Sequence, residues 1–141
     1  MKNQKKIQVF LVDDDALFLK LLETDFTQHT DFKIDTFACG ELCLKYLSYS
    51  PDLIILDYKL DGSDKNAMNG IDTLDRIKSF NKEIPVMMLS SQDKIEIAIE
   101  CMQHNAHDYV VKTEMVFMNL SNKINKLFNF DAKEQELRWF E

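Results

Sequence analysis

Leu53-Ile54-Ile55-Leu56-Asp57 is the stretch that decides the fold. Its apolar run is too short for a helix and does not alternate with polar residues, so it reads as a strand buried on both faces. Pro51 punctuates the chain just before it, and a polar segment rich in turn formers, Asp61 to Gly70 (D-G-S-D-K-N-A-M-N-G), follows. A doubly buried strand implies a parallel sheet with helices on both sides, and the flanking sequence supplies them. Upstream, a first apolar run covers Ile7 to Val12, and Asp14 or Asp15 can cap a helix with the face Leu17, Phe18, Leu21, Leu22 and Phe26. Phe32 to Phe37 alternates as a less buried edge strand does, and a second helix runs from Gly40 to about Ser50. Downstream, Ile71, Leu74 and Ile77 mark a third helix, and Pro85 opens a strand over Val86 to Leu89. The stripe Ile95, Ala98, Ile99 and Met102 marks a fourth helix, and Tyr109 to Val111 a fifth strand. Phe117, Leu120, Ile124, Leu127 and Phe128 mark a fifth helix, and Met87, Met88, Met102 and Met118 read as core packing. Strands alternating with helices in this way predict an α/β doubly wound parallel sheet of five strands with five flanking helices.

The chain has 141 residues, 45% apolar and 29% charged, which suits one soluble domain with a substantial core. The net charge of −7 argues against direct nucleic-acid binding, which needs clustered Lys and Arg. No apolar run is long enough for a membrane span, and the basic start M-K-N-Q-K-K reads as a lead-in to the first strand. Cys39, Cys43 and Cys101 show neither zinc spacing nor an even count for a disulfide framework, so free thiols and a cytoplasmic setting are expected.

In a parallel sheet of this kind ligands bind beyond the carboxyl ends of the strands, where strand order reverses. The informative polar residues fall there. Asp13, Asp14 and Asp15 follow the first strand, Asp57 the third, Ser90 and Ser91 the fourth, and Lys112 the fifth. Each alone means little, and Asp15 is better placed as a helix cap. Together they make one chemistry. Clustered carboxylates repel unless a cation sits among them, and hard oxygen donors suit Mg²⁺. Lys112 adds a compact positive charge and Ser90 a hydroxyl, the groups that surround a transferring phosphoryl group. A carboxylate can itself be the nucleophile, and Asp57 closes the central strand between the other groups.

The segments V-F-L-V-D-D-D, L-I-I-L-D-Y-K-L, P-V-M-M-L-S-S and D-Y-V-V-K, in this order and spacing, resemble the receiver domain of two-component response regulators. The resemblance covers about residues 7–128. It implies a flavodoxin-like sheet of order 2-1-3-4-5 and a receiver domain over 1–128. The tail over 129–141 lies outside the resemblance, and Asp131 followed by Glu134 has the pattern of a capping box, so a short helix is expected from Asp131. The resemblance implies Asp57 as phosphoacceptor, and Mg²⁺ held by Asp14, Asp57 and the backbone carbonyl of Lys59, with Asp13 acting directly or through water. Ser90 would turn towards the phosphoryl group, Tyr109 would follow as an aromatic switch, and Lys112 would pair with phosphoryl oxygens. The implied donor is a sensor histidine kinase or a histidine phosphotransfer protein. The output is a downstream protein or an output domain, reached through helix 4, strand 5 and helix 5, with Ile97, His104 and Tyr109 as candidate contacts. A homodimer through that face or through the tail is a further implied arrangement. Such a chain is a signalling domain that catalyses only its own phosphoryl transfer and autodephosphorylation.

Three positions depart from the family pattern. The loop after Asp57 is about five residues longer, with Asp61 where proline is usual, an insertion of small entropic cost that is expected to limit water access or contact the kinase. Thr113 replaces the usual proline after Lys112, which predicts a trans bond there. Asn105 stands where glycine is usual, and asparagine tolerates the left-handed turn. A rival reading is a Mg²⁺-dependent phosphatase of the haloacid-dehalogenase type built on Asp13-x-Asp15, although Leu17 and the lack of a late acidic pair fit it poorly. Another is an interaction module that works without phosphorylation.

Overall fold

The computed structural model describes residues 6–60, 62 and 66–129. The elements alternate as β1 (Gln8–Val12), α1 (Ala16–His29), β2 (Lys33–Phe37), α2 (Gly40–Lys45), β3 (Leu53–Asp57), α3 (Gly70–Phe80), β4 (Val86–Ser90), α4 (Ile95–Gln103), β5 (Asp108–Val111) and α5 (Val116–Phe128). All five strands are parallel and their order is β2-β1-β3-β4-β5, as the resemblance implied. β1, β3 and β4 are buried at every residue, whereas β2 at the edge is half-exposed, in line with its alternating sequence.

Strand side chains point alternately to two cores. Phe10, Val12, Ile54, Leu56, Val86 and Met88 pack under α2, α3 and α4. Val9, Leu11, Leu53, Ile55, Met87 and Leu89 pack under α1 and α5. Each fully buried aliphatic side chain contributes roughly 1.5–3 kcal/mol, so the three central strands dominate the stability of the domain. The order reverses between β1 and β3, and the carboxyl ends of those two strands therefore open onto a crevice.

Several expectations about the helices need correction. On α1 the inward stripe is Phe18, Leu22 and Phe26; Leu17 is 71% exposed and Leu21 is also exposed. Each lies one residue, about 100° of helical rotation, off that stripe. On α4 the inward residues are Cys101 and the half-buried Ile97, while Ile95, Ile99 and Met102 face solvent. Apolar residues surround much of this helix, so periodicity alone does not select its buried side. Ile97 is thus a packing residue, and Met102 and Met118 are exposed whereas Met87 and Met88 are core. The helix after Gly40 stops at Lys45 and gives way to a 3-10 turn over Leu47–Tyr49. Ser50 then turns left-handed (φ 57°) before Pro51, whose ring disfavours a helical residue in front of it.

Asn105 has φ 72°, so it does take the left-handed turn, and the described residues contain no cis peptide bond, so Lys112–Thr113 is trans. The three cysteines are free. No helix among the described residues is long and apolar enough to cross a membrane. The helix expected from Asp131 and the rest of the 130–141 tail lie outside the described residues, as does Asp61 in the long loop.

Candidate functional site

β1 ends at Val12, and Asp13 is fixed at once. Its amide donates to the Phe37 carbonyl (3.0 Å), and its Oδ1 accepts the Asp15 amide (2.9 Å). Asp15 is spent as the N-cap of α1, its Oδ1 accepting the Phe18 amide at 3.1 Å. Asp14, between them, is left exposed with its carboxylate free to face the crevice. Asp57 is the last residue of β3 and is buried. Carboxylate oxygens of Asp13, Asp14 and Asp57 lie within 4.8 Å of one another.

Lys112 leaves β5 on the same side, held because its amide donates to the Ser90 carbonyl (2.8 Å). Its Nζ lies 2.7 Å from Asp13 Oδ2 and 3.3 Å from Asp57 Oδ1. Asp13 Oδ2 is buried and has no well-angled hydrogen bond; the ion pair is what compensates it. The Phe18 ring supports the ammonium, with its centroid 4.4 Å from Nζ. Phe18 was legible only as a core residue, and no feature of the sequence marks it as a neighbour of Lys112.

The electrostatics follow from this crowding. Burial first, and then the charge of Asp13, push the Asp57 carboxyl up to about 7 against the opposing pull of Lys112. Partial burial and Asp13 also raise Asp14. Burial works against the Lys112 ammonium, but its contacts with Asp13 and Asp57 outweigh it and raise its pKa. Three carboxylates against one ammonium leave a net negative pocket of oxygen donors. That donor set fits a small hard divalent cation and not a soft one.

Ser90 ends β4 and is buried; its hydroxyl accepts the Gln92 amide at 3.0 Å. Tyr109 is half-buried, and its hydroxyl donates to the Gln92 carbonyl at 2.5 Å. Both residues thus hold the loop between β4 and α4. Lys59 is exposed two residues past Asp57, and Ser91 is exposed. His104 sits at the end of α4 with its Nδ1 2.8 Å from Asp75 Oδ1. Two glycines of the loop after Asp57 also approach the site. A Cβ on Gly62 would meet Asp14 Oδ2 at 2.8 Å, and one on Gly70 would meet the Asp57 carbonyl oxygen at 2.4 Å.

The family model of the response regulator receiver domain matches residues 9–124. The chain belongs to this family. The receiver is 33% identical over 107 residues to Protein RcaC of Microchaete diplosiphon, covering 75% of this chain and 16% of that protein. It is 31% identical over 117 residues to a protein-glutamate methylesterase/protein-glutamine glutaminase of Clostridium acetobutylicum, covering 80% of this chain and 32% of that one. The receiver therefore spans a third or less of the length of these curated relatives. Among solved structures it resembles CheY in the CheX-CheY-BeF3-Mg complex of Borrelia burgdorferi (TM-score 0.74, 27% identity, 86% of this chain and 89% of that one). It shares the fold of a CheY-like receiver domain from Methanospirillum hungatei (TM-score 0.74, 19% identity, 94% and 98% covered).

Proposed function

We propose that this receiver accepts a phosphoryl group on Asp57 from a phosphohistidine of a sensor kinase or phosphotransfer protein, with Mg²⁺ bound beside it. The observation that carries the reading is the meeting of Asp13, Asp14 and Asp57 within 4.8 Å, with Lys112 bonded to two of them. The Mg²⁺ found with the Borrelia relative supports the same choice of ion here. Asp13, Asp14, Asp57 and the Lys59 carbonyl would hold it, and when bound it neutralises the carboxylates and the phosphoryl oxygens.

In the transfer step a carboxylate oxygen of Asp57 forms a bond to phosphorus as the donor's N–P bond breaks. The bonding pair stays on the imidazole nitrogen, which takes a proton from water. Lys112 moves its charge onto phosphoryl oxygens and so loosens its hold on Asp13 and Asp57. Ser90 gives up the Gln92 amide to donate to the phosphoryl group, and Tyr109 leaves the Gln92 carbonyl in the same rearrangement. The added charge of about −1.5 to −2 favours that state, because only there do Ser90 and Lys112 gain phosphoryl partners. The output surface is α4, β5 and α5, read by a downstream protein, an output domain or a second copy, in the cytoplasm. The phosphatase alternative loses its motif, since the Asp15 side chain is committed to capping α1.

The test is intact mass after incubation with acetyl phosphate and Mg²⁺. Wild type gains one phosphoryl group and Asp57→Asn gains none. A wild type without adduct refutes the proposal. Turnover of a small phosphomonoester that survives Asp57→Asn favours the phosphatase.

A further inference from the structure

α4 buries one residue, Cys101, whereas α3 buries four, and like α2 and α5 it has no side chain capping its N-terminus. With so little apolar burial, polar contacts decide where the helix sits. Its leading loop is held at Gln92 by Ser90 and Tyr109. Among the described residues its body is held by a long-range side-chain hydrogen bond, from the Tyr58 hydroxyl to Glu100 Oε1 at 2.7 Å, and its C-cap residue His104 by the contact of Nδ1 with Asp75 Oδ1 at 2.8 Å.

Tyr58 directly follows Asp57, and its backbone cannot drift. Its amide donates to the Leu89 carbonyl (2.7 Å), and its carbonyl accepts the Gly70 amide (3.0 Å). The half-buried ring packs on the same cluster as Ile97 and Cys101. The Tyr58 hydroxyl is the donor and the Glu100 carboxylate the acceptor, a pairing of a neutral phenol with a charged group.

We propose that Tyr58 is a positioning residue: its hydroxyl, bonded to Glu100, ties α4 to the end of β3 and couples the Asp57 site to the exposed side of that helix. The coupling half of this inference rests on the phosphoacceptor reading of Asp57. A shift of α4 in the phosphorylated state must break or stretch the bond, so the bond holds the chain in its unphosphorylated form. A hydrogen bond to a charged group is stronger than a neutral one, which makes this tether a substantial part of what fixes so lightly buried a helix.

The experiment compares wild type with Tyr58→Phe, Glu100→Ala, the double variant and Glu100→Gln, which keeps an acceptor oxygen. Amide hydrogen exchange over residues 95–103 is followed without phosphodonor, and the rate of acetyl phosphate labelling by intact mass with Mg²⁺. Tyr58→Phe and Glu100→Ala should each speed α4 exchange and labelling about 3- to 10-fold, leaving β1, β3 and β4 amides unchanged. The double variant should match the single ones, and Glu100→Gln should restore much of the wild-type behaviour. Unchanged α4 exchange, or single effects that multiply in the double variant, overturns the tether. Faster exchange with wild-type labelling rates overturns the coupling and leaves the phosphoacceptor reading intact. A wild type that takes no phosphoryl group refutes that reading and the coupling with it, while the exchange data still decide the tether.

Discussion

Replacing Asp57 with asparagine should make the metal-free protein more stable at neutral pH. The carboxyl is buried, faces Asp13 and titrates near 7, against an ordinary value of 3.8. A carboxyl raised in the folded state stabilises the fold fully below its unfolded value, and that contribution is lost as pH rises through the folded one. The interval from 3.8 to about 7 corresponds to about 4 kcal/mol of unfavourable burial once both states are ionised. Asparagine removes the charge, keeps an oxygen for Lys112 and forfeits part of the attraction to that ammonium. A net gain of about 2–4 kcal/mol follows, or roughly 5–12 °C in Tm for a domain of this size. Thermal unfolding in EDTA should show the gap between variant and wild type widening from pH 4 to pH 7 and then levelling. Mg²⁺ should narrow it, because wild type gains about 1.4 kcal/mol with the ion at tenfold its Kd and the variant gains less. A variant no more stable than wild type in EDTA at pH 7.5, or a gap that ignores pH, would refute the reasoning.

Lys112→Ala removes the cation that Asp13 and Asp57 share, and breaking so buried a pair should cost about 3 kcal/mol in urea unfolding at pH 7.5, less at pH 4 where Asp57 is protonated. Gly70→Ala forces a Cβ against the carbonyl oxygens of Asp57 and Tyr58, at 2.4 and 2.5 Å, and should cost about 3 kcal/mol by the same assay. At Asn105, whose φ is 72°, glycine should leave stability unchanged or raise it by a few tenths of a kcal/mol, whereas valine should lower the unfolding free energy measured in urea by about 1–2 kcal/mol. Leu17→Gln on exposed α1 should change stability by less than about 0.5 kcal/mol, whereas Phe26→Ala should cost about 3–5 kcal/mol.

The strands were legible because both faces of β1, β3 and β4 must be apolar, and no other element gives a short unbroken run such as Leu53 to Leu56. The site residues were legible for a related reason. A parallel sheet delivers all its strand ends to one pole, so Asp13, Asp14, Asp57 and Lys112 needed only their strands to be brought together, and Ser90 ends the strand beside Asp57. Helix faces were harder. α1 and α4 carry more apolar residues than they bury, and which side meets the sheet is set by tertiary packing that favoured Cys101 and Ile97 over Ile95 and Ile99. The contacts of Tyr58 with Glu100 and of Phe18 with Lys112 were illegible because each joins residues far apart in sequence, and nothing local marks either partner.

The close approach of Gly70 to the Asp57 and Tyr58 backbone fixes where the chain must re-enter α3, however long the preceding loop. Its other anchor is equally defined, since the Met68 amide donates to Glu41 Oε2 at 3.0 Å on α2. Between buried Leu60 and that return point, segment length is decoupled from the geometry of β3 and α3. The receiver thus offers a splice port beside its acidic crevice: an epitope, a reporter peptide or a partner-selective segment inserted between Gly62 and Met68 should leave the strands that align the carboxylates in register.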